Sequence, residues 1–85
     1  MFEVEFSSSA RKFLKKAEKL IAKRIITHIE ELLEDPFPPG VKRIVNRKEK
    51  IFRERVGDYR IQYMVLYDKN LLFITDIDKR ARAYK

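Results

Sequence analysis

The 85-residue chain contains no cysteine, which excludes a disulfide framework and a thiolate metal site. Its single histidine, His28, is too few for a structural zinc centre. No apolar stretch approaches the roughly 18 residues of a membrane span. The opening MFEVEFSSS has neither the basic nor the apolar region of a secretory signal. Internal repeats and low-complexity segments are also missing. These absences lead us to expect one cytoplasmic domain over residues 1–85, with no metal, cofactor or membrane partner.

Hydrophobic residues make up 45% of the chain, enough for a folded core. The net charge is +7, and it is one-sided. Residues 1–35 hold seven basic and seven acidic side chains, so all of the excess lies in residues 36–85. Charge concentrated in one half is the footprint of a polyanionic partner or of a solubilising surface.

FEVEF alternates apolar and acidic residues, the period-2 mark of a half-buried strand. A serine of the following SSS can cap a helix. Ala10, Phe13, Leu14 and Ala17 then fall at helical spacing, as do Ala22, Ile25, Ile26, Ile29, Leu32 and Leu33. A single helix from Ser8 to Glu34 would be about 40 Å long, more than so small a domain can bury. The two stripes also differ in phase, so we expect a break near Ala17–Lys19 and an antiparallel helical hairpin. EDPFPPG ends the second helix, because Pro36 disfavours helical geometry at Asp35. Strand candidates follow at VKRIV, IFRERV, YRIQYMVLY and LLFITDI, with turns at Gly57-Asp58 and DKN. The apolar run Leu71–Ile74 suits a strand inside the sheet and covered on both faces. The expected fold is α+β: an N-terminal strand and a helical hairpin packed on a twisted antiparallel sheet.

Side chains alternate along a strand, and this parity decides where the arginines go. Tyr59, Ile61, Tyr63 and Val65 share the core face, so Arg60 points away from it. Phe52 and Val56 point inward, so Arg53 and Arg55 point outward. The three arginines should therefore share one exposed face. Glu54 falls on the inward parity, where an unpaired carboxylate would be costly; a sheet edge or a lysine partner would relieve it. The C-terminal DKRARAYK adds Arg80, Arg82 and Tyr84, which would join that face if the last strand lies beside Tyr59–Tyr67.

The short strand, the helical hairpin, LLEDPFPPG, FRERVGDYRIQY and the terminal KRARAYK together resemble the RelE/ParE superfamily of toxins. The resemblance covers nearly the whole chain. It implies a compact α+β fold and a cognate RelB-like antitoxin. RelE-like members are ribosome-dependent mRNA endonucleases that cut in the A site, whereas ParE-like members inhibit DNA gyrase without catalysis. By resemblance the catalytic positions are Arg53, Arg55, Arg60, Arg80 and Tyr84, with Arg82, Lys50 and Lys79 as further substrate-binding cations. The chain departs from some members in carrying arginines for lysines and in a shorter Arg80-to-Tyr84 spacing. Asp76 and Asp78 would dilute the positive field. The resemblance favours the endonuclease; a ParE-like inhibitor and a plain RNA-binding module stay open.

RNA can be cut by its own 2′-OH, given a base, cations for the phosphate and an acid for the leaving oxygen. Neighbouring guanidiniums would lower the phenol pKa of Tyr84 and make it a candidate base. Arg60 is the candidate for the main transition-state cation, and Arg80 for assisting the leaving group. His28 lies beside an apolar helical stripe and reads as structural.

Overall fold

A computed structural model describes residues 1–44 and 50–79. The order is β1 (Glu3–Phe6), α1 (Ser8–Lys16), α2 (Lys19–Glu34), β2 (Lys42–Arg43), β3 (Phe52–Val56), β4 (Tyr59–Leu66) and β5 (Leu71–Lys79), with a short 3₁₀ turn at Tyr67–Lys69. Ser7 caps α1 by accepting from the Ala10 N–H at 3.0 Å. The same hydroxyl donates to the Thr75 carbonyl at 2.8 Å, fastening the helix start to β5. The helices break at Ala17 and Glu18 without glycine or proline, where both residues turn extended. That break lies where the phase of the apolar stripes shifts.

The five strands run β1-β5-β4-β3-β2 across the sheet. From β2 to β5 the sheet is antiparallel, as expected. β1 departs from that pattern: it pairs with β5 in parallel, with Phe6 opposite Ile74. The intervening helices make this possible, since a parallel partner needs a long crossover. Gly57 takes φ +61° in the two-residue turn between β3 and β4, as the first position of a type II′ turn requires.

Ile25, Ile29, Leu32 and Leu33 of α2 and Ala10 of α1 meet Val56, Ile61, Tyr63, Leu72, Ile74 and Ile77 in one core. A register shift between Gln62 and Tyr63 of β4 sets Tyr63 opposite Ile74 and Gln62 opposite Asp76. The extra residue, Thr75, moves the parity of β5 by one. Ile74 and Ile77 can then both face the helices, and Asp76 and Asp78 fall on the other face. β5 lies inside the sheet, but cover on both faces is not seen among the described residues. Leu71 and Phe73 stay half-buried on the face opposite the helices.

The core also explains Glu54. Its carboxylate lies 3.9 Å from His28 Nδ1 of α2 and its side chain is 16% exposed, so among the described residues its charged partner is the histidine and no lysine. Burial pushes the Glu54 pKa up, His28 opposes this, and Glu31 adds to it. Tyr63 donates its phenol proton to the Pro36 carbonyl and ties the proline loop to the sheet. Burial, with help from the Glu54 and Asp35 charges, pushes the Tyr63 pKa upward. No described helix is long and apolar enough to cross a membrane.

Candidate nucleic-acid interface

The open face of the sheet collects the cations by register. Arg55 of β3 stands directly opposite Arg60 of β4, and Arg53 stands opposite Gln62. On its other side Arg53 faces Lys42 of β2. Cross-strand partners share a face with Cβ atoms about 4.5–5.5 Å apart, so like charges here repel. Arg55 is exposed and Arg53 half-buried. A small cleft beside them is lined by Pro39, Gly40, Lys42, Arg53, Glu54 and Arg55.

Arg60 differs from its neighbours. Its Nε donates to Asp78 Oδ1 at 3.2 Å, and its Nη2 donates to Oδ2 at 3.3 Å. The arginine side chain is 17% exposed and the aspartate 41%. Asp76 takes a separate partner, accepting from Ser9 Oγ at 2.9 Å. The dilution of the positive field expected from both aspartates is therefore a specific pairing in one case.

Of the residues assigned to the site from sequence, Arg53, Arg55 and Arg60 come together. Lys50 is exposed two residues before β3. Lys79 pairs with Tyr59 and so has the parity of the helix face, away from the arginines. It lines a wider groove with Phe13, Ala17, Ile21, Tyr59 and Ile77. Arg80, Arg82 and Tyr84 lie outside the described residues. Lys42 was missed; its place in VKRIV held the signal, because strand pairing could have set it beside Arg53.

A family profile described as the ParE toxin of the type II toxin–antitoxin system parDE matches residues 4–84. The chain belongs to the RelE/ParE toxin family. It is 34% identical over 87 residues to a Methanocaldococcus jannaschii protein named "Putative toxin RelE1", covering 99% of this chain and 96% of that one. Among solved structures, it resembles the archaeal RelE of the RelE–RelB complex from Pyrococcus horikoshii OT3. The TM-score is 0.80 at 24% identity, over 95% of this chain and 97% of that one. The RelBE2 toxin–antitoxin complex of Mycobacterium tuberculosis gives 0.77 at 25%, over 93% and 98%. The isolated E. coli RelE toxin gives 0.76 at 21%, over 99% and 92%.

Membership of the toxin family gives the open face a context. One side of the sheet is closed by helices and supports the other. In α2, Arg24 reaches back over the β3–β4 turn: a Cβ on Gly57 would come within 3.0 Å of its guanidinium. A side chain at Gly57 would therefore meet both the positive φ and Arg24. The tight turn that sets Arg55 opposite Arg60 depends on glycine at this position.

Proposed function

We propose that this RelE-like toxin is a ribosome-dependent mRNA endonuclease acting in the cytoplasm. The observation that carries this reading is the convergence of Lys42, Arg53, Arg55 and Arg60 on one sheet face. The 2′-oxygen attacks the adjacent phosphorus and the bond to the 5′-oxygen breaks. The products are a 2′,3′-cyclic phosphate and a 5′-OH. Arg60, with Arg53 and Arg55, stabilises the charge on the pentavalent phosphate. Tyr84 is the proposed base and Arg80 assists the leaving oxygen; Arg82 and Lys50 bind flanking phosphates. The guanidiniums supply the positive charge, so the reaction needs no metal. Such a weak acid–base set depends on proximity, which the ribosomal A site provides by fixing the mRNA. The antitoxin complexes of the structural relatives support a RelB-like partner for this chain as well.

The family description favours a second reading, a ParE-like inhibitor that binds gyrase without cutting RNA. Purified toxin added to a translating ribosome–mRNA complex separates the two. Primer extension should show cuts within the A-site codon, and none on free mRNA or with Arg60→Ala. Growth arrest without cuts, together with inhibited gyrase supercoiling, would move the chain to the second reading.

A further inference from the structure

We propose that Asp78 is a built-in phosphate mimic: it holds Arg60 in the free toxin and yields it to the RNA. This rests on the nuclease reading of the arginine face. A carboxylate and a phosphate offer the same pair of oxygens to a guanidinium, and both are taken two-pronged. Asp78 already takes Arg60 in this way, through Nε and Nη2 at 3.2 and 3.3 Å. The strand order makes the mimic displaceable. Arg60 sits on β4 with Arg55 opposite it on β3 and Asp78 opposite it on β5. A phosphate lodged between β3 and β4 would meet two arginines, where the Asp78 carboxylate is bonded to one. Asp78 is also 41% exposed, and pairs of that kind hold by only about one- to five-fold in equilibrium terms. In the free toxin, Asp78 also relieves the repulsion between Arg55 and Arg60. Displacing it adds a modest cost that loosely held RNA must meet and that A-site RNA meets easily. Asp78 is thus a positioning residue that acts through Arg60.

The test compares Asp78→Asn with Asp76→Asn. Both remove one negative charge from β5, but only the first breaks the Arg60–Asp78 pair. Single-turnover cleavage over a ribosome concentration series should show the half-saturating concentration falling about two- to five-fold in Asp78→Asn. Its maximal rate should stay within two-fold of the parent. Asp76→Asn should change neither. Asp78→Glu, which restores a carboxylate, should return half-saturation toward the parent value. A lower maximal rate at unchanged half-saturation in Asp78→Asn would overturn the proposal and make Asp78 an orienting group for the reaction. An equal gain in both asparagine variants would overturn it in favour of a general field effect. Anisotropy of a fluorescein-labelled single-stranded RNA keeps the proposal separate from the nuclease reading. Tighter binding by Asp78→Asn than by Asp76→Asn supports the mimic even if the parent toxin cuts nothing. Equal binding by the two overturns it even if the parent cuts.

Discussion

The two faces of the sheet solve opposite problems. On the helix side Ile61, Tyr63, Leu72 and Ile74 are fully buried in an apolar core, which Glu54 and His28 interrupt with polar atoms that lack a hydrogen bond. On the open side Arg53, Arg55 and Arg60 stand together against their mutual repulsion. The first face gains free energy by leaving water, and the second gives some up to present charge. Like-charge cross-strand pairs cost a few tenths of a kcal/mol to about 1 kcal/mol. A single buried aliphatic side chain contributes about 1.5–3 kcal/mol, so the closed face can carry the open one.

Substitutions on each face should therefore part stability from activity. The largest stability loss is expected on the closed face. Ile61→Ala should lower unfolding free energy by about 2–5 kcal/mol, read by urea denaturation, with activity lost only as the fold is lost. On the open face Arg60→Ala should abolish cleavage and change stability by less than about 1 kcal/mol, because its ion pair is partly exposed. If Arg60→Ala instead unfolds the protein, the arginine is structural and the contrast between faces fails.

The cap at the start of α1 belongs to the closed side but is reached from its rim. Ser7→Ala removes an acceptor for Ala10 N–H and a donor to Thr75, and should cost about 1 kcal/mol in the same denaturation assay. A smaller effect is expected for Arg55→Ala. It removes the charge facing Arg60, so stability should hold or rise by a few tenths of a kcal/mol. The dependence of RNA binding on salt should meanwhile flatten by about one phosphate contact.

Glu54 marks a weak point of the closed face. Burial raises its pKa in the fold, so the folded state favours the protonated acid. The folded state then binds more protons than the unfolded state between the two pKa values, and stability falls as pH rises through that window. The groups facing Glu54 are His28 and Glu31 of α2, with Tyr63 on the adjacent strand. Glu54→Gln should remove this loss. Its melting temperature should exceed the parent's by more at pH 7 than at pH 4, and an equal difference at both would discount the burial of this carboxylate.

Much of this contrast could be read from alternation alone. Tyr59, Ile61 and Tyr63 against Arg60 and Gln62 fix both faces of β4, and Gly57-Asp58 fixes the register that joins Arg55 to Arg60. Alternation fails where the chain interrupts it. The extra residue at Thr75 moves Asp78 to the arginine face and Lys79 to the other, and no local pattern around Thr75 marks that bulge. The parallel pairing of β1 escapes for a related reason: period-2 patterning says which face is buried but not which strand lies alongside. Glu54 and His28 meet across 26 positions of sequence, through the crossing of α2 over β3, which neither residue's neighbours encode. The arginine face thus follows from side-chain parity, whereas the Arg60–Asp78 pair depends on tertiary register.

The most direct test of the account is cleavage on the ribosome measured together with thermal melting, for the parent toxin and Arg60→Ala in the same preparation. A-site cuts by the parent, none by Arg60→Ala, and melting temperatures within a few degrees of each other are expected. Unchanged cutting by a folded Arg60→Ala would contradict the assignment of the open face as the site of chemistry.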